Sequence, residues 1–285
     1  MTDVTLNQLS ATASLANESA SVSVIIPCYN SIKTLERAVK SVAEQTLRPG
    51  ELILVDDGST DSTVEFMHLL KNKYGKDWIC IIELGANLGV STARNSGWEK
   101  ASNKFVAFLD SDDSWHSNKI EIQYSYMEEN PQVVMTGHRF EIINEETIQP
   151  NLKLKFDTKV WFPSKLILTN PFVTPSVMIS ASIPERFQAG RRHMEDHLLW
   201  LEIAFNYGSV IEIMLPLAAI HKPQWGSGGL SSRLWVMEKG ELKNYWYLRS
   251  TKRIATLTTL GLSCFSLAKF GRRLFKYYIL NQNSG

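Results

Sequence analysis

The chain has 285 residues, 44% of them hydrophobic, which is enough for one large core or two small ones. Thirty Lys and Arg stand against 29 Asp and Glu, and a net charge of +1 argues against bulk attraction to nucleic acid. Cys28, Cys80 and Cys264 are widely spaced and form no CxxC or metal-ligand pattern, which excludes a disulfide scaffold and points to a reducing compartment.

Residues 1–20 have neither the basic start nor the apolar core of a signal peptide, and they read as a polar, disordered leader. Residues 22–26 form a β-branched run that Pro27 stops, and Cys28-Tyr29-Asn30-Ser31 is the loop at its carboxyl end. Leu35, Ala38, Val39 and Val42 recur at helical spacing ahead of Pro49-Gly50. A second apolar strand, 52–55, runs straight into Asp56-Asp57-Gly58-Ser59-Thr60-Asp61. Ser62 and Glu65 have capping-box spacing, followed by the stripe Phe66, Leu69, Leu70 and Tyr74. Residues 79–82 make a third strand, and 85–97 form a glycine-punctuated loop that enters a short helix. Residues 105–109 are a fully apolar strand ending in Asp110-Ser111-Asp112-Asp113. Alternating β and α over roughly the first 135 residues predicts an α/β fold with a doubly wound, mostly parallel sheet.

The second half is less regular. Residues 133–136 and 177–179 are short strand candidates, while 137–170 mix turns and polar stretches. His193-Met194-Glu195-Asp196 opens a strongly apolar helix that ends at Gly208, and 210–215 reads as a strand. Residues 225–231 are a glycine-rich loop. No run of eighteen apolar residues occurs, so a membrane span is not expected. From Arg249 onward there are seven basic residues and no acidic one, leaving 23 basic against 29 acidic elsewhere. Fifteen uncharged residues, 254–268, precede Lys269, Arg272, Arg273 and Lys276. This pattern suits a basic amphipathic helix on an anionic membrane face, ahead of the alternative of a helix packed on the domain with its basic face in water.

If the chain stays extended past residue 109, Asp110 and Asp112 point to one side and Ser111 to the other. Two convergent carboxylates favour a hard cation such as Mg²⁺ or Mn²⁺, commonly shared with substrate phosphates. The alternative is a solvated turn capping the next helix through Asp113 or Ser114.

Five motifs in order over residues 22–207 resemble the inverting, GT-A-fold glycosyltransferases of family 2, of the bacterial polysaccharide type. They are Pro27-Cys28-Tyr29-Asn30; Val55-Asp56-Asp57-Gly58-Ser59-Thr60-Asp61; Asn87-Leu88-Gly89 with Ala93-Arg94-Asn95-Ser96-Gly97; Leu109-Asp110-Ser111-Asp112-Asp113; and Glu195-Asp196 with Trp200. The resemblance implies a catalytic domain over 21–232 and basic, amphipathic C-terminal helices over 233–285. It implies a nucleotide-diphospho-sugar donor, a divalent Mg²⁺ or Mn²⁺, and a glycan or lipid-linked acceptor in cell-surface polysaccharide synthesis. The protein would then be cytoplasmic, with peripheral contact at the inner membrane face as an option, and no nucleic acid would be involved.

By that resemblance Pro27, Tyr29 and Asn30 line the nucleoside pocket, Asp57 or else Asp56 accepts from the base, and Asp110 binds ribose or the donor sugar. Asp112 is the metal ligand and Asp113 is structural. Arg94 meets a phosphate or braces the carboxylates, with pairing to Asp110 as its structural use. Asp196, beside Glu195, is the general base, provided that burial or Glu195 raises its pKa against the helix dipole. His193 and His221 are candidate third metal ligands or phosphate contacts. This chain reads Ala219-Ile220-His221-Lys222-Pro223 where many relatives carry an aromatic and an Arg, which leaves completion of the metal site open. Two other readings stand beside this one. A nucleotidyltransferase would need a glycine-rich basic loop after the first strand, and a silent member would bind nucleotide sugar without turning it over.

Overall fold

The computed structural model describes residues 4–5, 19–143, 155–191, 193–221 and 234–282. Its centre is a nine-stranded sheet formed by β1 (Ala20–Cys28), β2 (Pro49–Asp56), β3 (Ile79–Glu83), β4 (Phe105–Phe108), β5 (Ser114–Trp115), β6 (Met135–Ile142), β7 (Thr158–Trp161), β8 (Met178–Ser180) and β9 (Val210–Ile220). The spatial order is β3-β2-β1-β4-β8-β6-β9-β5, with β7 also on β9. The first four strands in that order are parallel to one another. Beyond them β8 runs antiparallel to both β4 and β6, β9 runs parallel to β6, and β5 and β7 run antiparallel to β9. The sheet is thus parallel in its first half and mixed overall.

Strand alternation divides the apolar residues between two layers. Ile25, Ile53, Val55, Val106 and Phe108 face one core, while Val24, Ile26, Leu52, Leu54 and Ala107 face the other. Helices α1 (Leu35–Ala43), α2 (Thr63–Tyr74) and α4 (Lys119–Glu129) bury Leu35, Val39, Met67, Leu70 and Ile120 against the second face. Helices α3 (Val90–Lys100) and α6 (Glu195–Tyr207) cover the first face with Trp98 and Trp200. Phe187 lies between those two tryptophans, with ring centroids 6.4 and 5.9 Å away. The short α5 (Pro163–Leu166) and the long α7 (Leu234–Ser250) and α8 (Thr256–Gln282) complete the described chain.

Several local expectations change. Pro27 does not stop β1, which continues to Cys28. Carbonyls of Ile25 and Cys28 point to opposite neighbours, accepting from Leu109 and Asp57, so the nitrogen of Pro27 faces the β4 side, where pairing has already ended. Its missing N–H therefore costs no ladder bond. Ser62 makes no capping bond; the Asp61 carboxylate instead accepts from the Thr63 N–H at 3.1 Å. Within the expected leader, Val4–Thr5 pairs antiparallel with Lys155–Phe156, and residues 6–18 lie outside the described residues. The glycine loop at 225–231 and Lys222-Pro223 also lie outside them.

The C-terminal helix packs on the domain, and its polarity is the reverse of a basic face turned outward. Lys269 reaches Glu241 at 3.1 Å and Arg273 reaches Glu238 at 3.1 Å, both acids being on α7, while Arg272 is exposed. Leu257, Leu260, Phe265, Leu267 and Phe275 are exposed instead. Buried carboxylates leave the two cations no better place, because an unpaired buried acid costs more than an exposed leucine. No described helix is long and apolar enough to cross a membrane.

Candidate active site

The carboxyl ends of β1, β2 and β4 meet at one edge of the parallel half, where ligands of open α/β sheets bind. The first wall is the loop after β1. Tyr29 is half exposed and Asn30 adopts a left-handed conformation, φ 49°. The Asn30 side-chain oxygen accepts from the Thr60 and Asp61 amides at 2.8 and 3.3 Å, and its own N–H donates to Ser59 Oγ at 3.0 Å. Asn30 therefore ties the β1 loop to the β2 loop, and Pro27 is buried beneath them.

Asp56 and Asp57 are both buried, and each is used by backbone amides. Asp56 accepts from Gly58 and Ser59 at 3.1 Å each, closing its own turn. Asp57 accepts from Leu88 at 2.7 Å and Gly89 at 3.0 Å. That bond carries the loop before α3 across to the end of β2. Gly58, at φ 71°, is required by the approach: a Cβ there would run into the backbone of Ala86.

The second wall is the acidic turn. Strand β4 ends at Phe108, and the Asp113 N–H donates to the Asp110 carbonyl at 3.1 Å. Asp110 and Asp112 therefore share a turn and are not alternate residues of an extended strand, because this i to i+3 bond bends the chain as soon as pairing with β1 is exhausted. Asp113 is buried, and its carboxylate accepts the His221 N–H at 3.1 Å, the structural part expected of it. Arg37 of α1 donates to the Asp112 carbonyl. His221 lies 2.9 Å from Ser114 Oγ through Nε2; burial and Arg37 lower its pKa while Asp112 opposes them. His221, just past β9, is thus tied to the residues on either side of β5's start, with Asp112 in electrostatic reach.

The third wall is the start of α6. Arg94, only 4% exposed, donates to Asp110 at 2.8 Å and to Glu195 at 3.3 Å, and its guanidinium carbon lies 5.3 Å from the centre of the Phe187 ring. Of the uses open to Arg94 from sequence, this geometry shows the pairing with Asp110, with Glu195 added as a second partner. Asp110 keeps 33% of its side chain exposed. Burial opposes the charge on Arg94, but Asp110 and Glu195 together hold its pKa above the ordinary value. Glu195 is pushed up by burial and by Asp196, against the pull of Arg94. Asp196 is raised by burial, although the His197 N–H at 2.7 Å, Arg94 and the Asn170 amide at 3.4 Å all favour its charged form.

Some contributors carry no signal in the sequence. Asn170 and Asn244 touch the acid-bearing turn only through tertiary contacts. Asn95 was visible within its motif, yet its job was not: its amide bonds both the N–H and the carbonyl of Phe187, at 3.1 and 2.7 Å. Ser91 adds a 3.1 Å bond to the Arg191 carbonyl. Three residues of α3, Ser91, Arg94 and Asn95, therefore pin the segment that delivers Glu195 and Asp196. His193 precedes that pair and packs its carbonyl against Gly240 of α7.

Among the described residues no three His, Cys, Asp or Glu side chains are grouped to hold an ion by themselves. A carboxylate such as that of Asp112 and an imidazole such as that of His221 are donor types that suit Mn²⁺ or Mg²⁺ when the ion takes its remaining ligands from phosphate and water. The residues therefore fit a shared ion and not a closed protein cage.

Comparison with known proteins bears on the family and the fold. An uncharacterized glycosyltransferase of Rickettsia conorii is 38% identical over 194 residues, covering 64% of this chain and 30% of that protein. The chain thus spans less than a third of the length of that relative. The Escherichia coli enzyme UDP-Glc:alpha-D-GlcNAc-diphosphoundecaprenol beta-1,3-glucosyltransferase WfgD is 35% identical over 190 residues, covering 64% of this chain and 69% of the enzyme. In structure, the Pyrobaculum calidifontis mannosyltransferase PcManGT, solved with GDP-Man and Mn²⁺, superposes with a TM-score of 0.62 at 15% identity, over 96% of this chain and 85% of that one. At that identity the likeness shows the fold, which is the GT-A fold expected. The sequence profile described as Glycosyl transferase family 2 matches residues 23–187, more than half of the chain, and on that match the protein belongs to glycosyl transferase family 2.

Proposed function

We propose that the protein is an inverting glycosyltransferase that moves a sugar from a nucleotide-diphosphate donor to a hydroxyl of a lipid-linked glycan in cell-surface polysaccharide synthesis. The observation that carries the reading is Arg94, buried between Asp110 and Glu195. It ties the donor-side acidic turn to the acid pair of α6, which comes from a part of the chain about a hundred residues away. Family membership and the glucosyl transfer to a diphosphoundecaprenol-linked sugar named for WfgD support the same reaction class.

In this mechanism the nucleoside lies against Tyr29 and the Asn30-braced loops. Asp57 and Asp56 keep unused lone pairs after their amide contacts, and one of them accepts from the base. Asp110, fixed by Arg94, faces ribose or the donor sugar. Asp112, with His221, would hold the divalent ion, which would supply positive charge to the departing diphosphate. Asp196 takes the proton of the acceptor hydroxyl as its oxygen attacks the anomeric carbon, and the bond to the diphosphate breaks with its electron pair leaving on that group. The raised pKa of Asp196 makes it a stronger base than an ordinary aspartate. Glu195, held by Arg94, is a positioning group beside it. The profile match ends before this pair, so Asp196 rests on its environment and on the sequence motif.

The exposed leucines and phenylalanines of α8 suit shallow contact with a membrane face, as a lipid-linked acceptor requires. A cytoplasmic location follows from that reading and from the free cysteines. The test is thermal shift and transfer with UDP-, GDP- and dTDP-sugars, with and without Mn²⁺. The expected result is a metal-dependent shift with one nucleotide class, with Asp196→Asn retaining that shift while transfer is abolished. Unchanged turnover in Asp196→Asn removes Asp196 from the mechanism, and no shift with any donor removes the reading.

A further inference from the structure

Behind the acid-bearing turn lies a second cavity that takes no part in the donor site. It measures about 480 Å³ and is walled by Pro163, Ile167 and Leu168 around α5, Phe205 of α6, and Ile254 and Leu262 at the start of α8. Its lining is apolar, with two hydroxyls, from Ser164 and Thr258, as its side-chain polar groups. The volume lies in the range of ordinary ligand sites, but a cavity with so few hydrogen-bonding groups cannot orient a sugar or a nucleotide.

Its surroundings indicate what it can hold. Phe162 and Leu168 on the α5 side and Leu257 and Leu260 on the α8 side are all more than 40% exposed, so the cavity opens among apolar surface residues. An apolar pocket continuing into an apolar surface suits a flexible hydrocarbon chain better than a compact soluble ligand. Its position relative to the candidate base is defined by two elements. The Leu166 carbonyl lies 2.9 Å from His197 Nε2, next to Asp196, and Asn170, two residues beyond Leu168, touches Asp196 itself. Along α6, Phe205 is nine residues past Asp196, a rise of about 13–14 Å. That is enough for an acceptor sugar and a diphosphate between the base and the first carbons of a chain.

We propose that this groove is the subsite for the hydrocarbon chain of a lipid-diphosphate-linked acceptor, with the sugar at Asp196 and the chain leaving between α5 and α8. The assignment rests on the lipid-linked reading of the acceptor, and its test is built to fail separately from that reading. The probe is dansyl-undecyl diphosphate, followed by fluorescence with the full chain, and the variants are Leu168→Glu and Thr258→Glu, both at exposed positions where a carboxylate leaves the fold intact. Wild type is expected to bind the probe, with each variant weakening it at least tenfold while the thermal shift given by the nucleotide sugar stays unchanged.

Equal binding of the probe by wild type and both variants overturns the groove, as does methyl diphosphate binding as tightly as the undecyl compound. If the variants lose affinity for phosphatidylglycerol vesicles yet keep the probe, the groove is a bilayer contact and the acceptor subsite is refuted. A variant that changes only the sedimentation of the protein marks it as a contact between copies and refutes it likewise. Probe binding with no response to any nucleotide sugar leaves the groove standing and removes the transferase reading; donor binding without the probe does the reverse.

Discussion

Asn244, in the middle of α7, donates its amide to the Met194 carbonyl at 2.9 Å, and Met194 is the left-handed residue, φ 58°, from which α6 and its acid pair begin. The same side chain also accepts from Arg191, and Gly240, one turn earlier, gives room for Met194. A non-glycine residue in that conformation persists only where its surroundings hold it. The C-terminal helices thus complete the candidate site. Asn244→Asp keeps an acceptor for Arg191 and loses the donor to Met194. Its kcat is expected to fall at least tenfold while donor KM and the donor-induced thermal shift stay level. A parallel loss of donor binding would reduce Asn244 to a general packing role.

Arg94→Met removes the cation shared by Asp110 and Glu195. Removing one member of a buried ionic group costs about 3–5 kcal/mol, so the unfolding midpoint in urea should drop sharply. Arg94 also holds the pKa values of Glu195 and Asp196 down against burial. Without it both rise further, and the acid limb of the kcat/KM profile should move to higher pH. Arg94→Lys, which keeps the charge and loses the two-armed fork, is expected to fall between wild type and Arg94→Met. An unmoved acid limb in Arg94→Met would detach Arg94 from the base.

His138 on β6 is fully buried, with Nδ1 2.7 Å from the Arg139 carbonyl, and burial together with Lys119 pushes its pKa down to about 3. Lys119 lies 3.8 Å over the Trp115 ring and is itself lowered by burial. A histidine held neutral in the fold contributes stability that is complete above its ordinary pKa near 6.5 and is lost as pH falls toward 3. Urea midpoints should therefore fall from pH 6.5 to 4, with at most about 1.4 kcal/mol per pH unit from this one group. His138→Gln should flatten that slope; an identical slope assigns it to other groups.

Gly58→Ala places a methyl group against the Ala86 backbone at a positive φ. The strain is about 1–3 kcal/mol and falls on the loop that Asp57 holds through Leu88 and Gly89. Both a lower melting temperature and weaker nucleotide binding are expected. Lower stability with unchanged binding would separate this loop from the nucleoside pocket.

The parallel half of the sheet was legible because its strands are continuous apolar runs, and a run buried on both faces leaves little choice of element. Strand β4 was expected to end one residue later, and β1, β2 and β9 extend past their predicted limits through Pro27, Pro49 and Pro216. Proline marks a chain that cannot donate at that point, and only the neighbouring strand decides whether a donor was needed there. The mixed half was read in fragments, because 133–136 gave only the start of β6 and nothing local states that β8 pairs antiparallel with both β4 and β6.

The sequence by itself determined that acids follow β2 and β4 and open α6, since strand ends and helix starts are local events written in adjacent residues. Only the tertiary structure decided which partners those acids have. Arg94 meets Glu195 across 101 positions, and Asn244 meets Met194 across 50. It also decided which way α8 faces, turning Lys269 and Arg273 toward Glu241 and Glu238 and its leucines outward. Helical periodicity fixes which residues share a face, but the direction of that face depends on the charges the rest of the fold leaves to be neutralised.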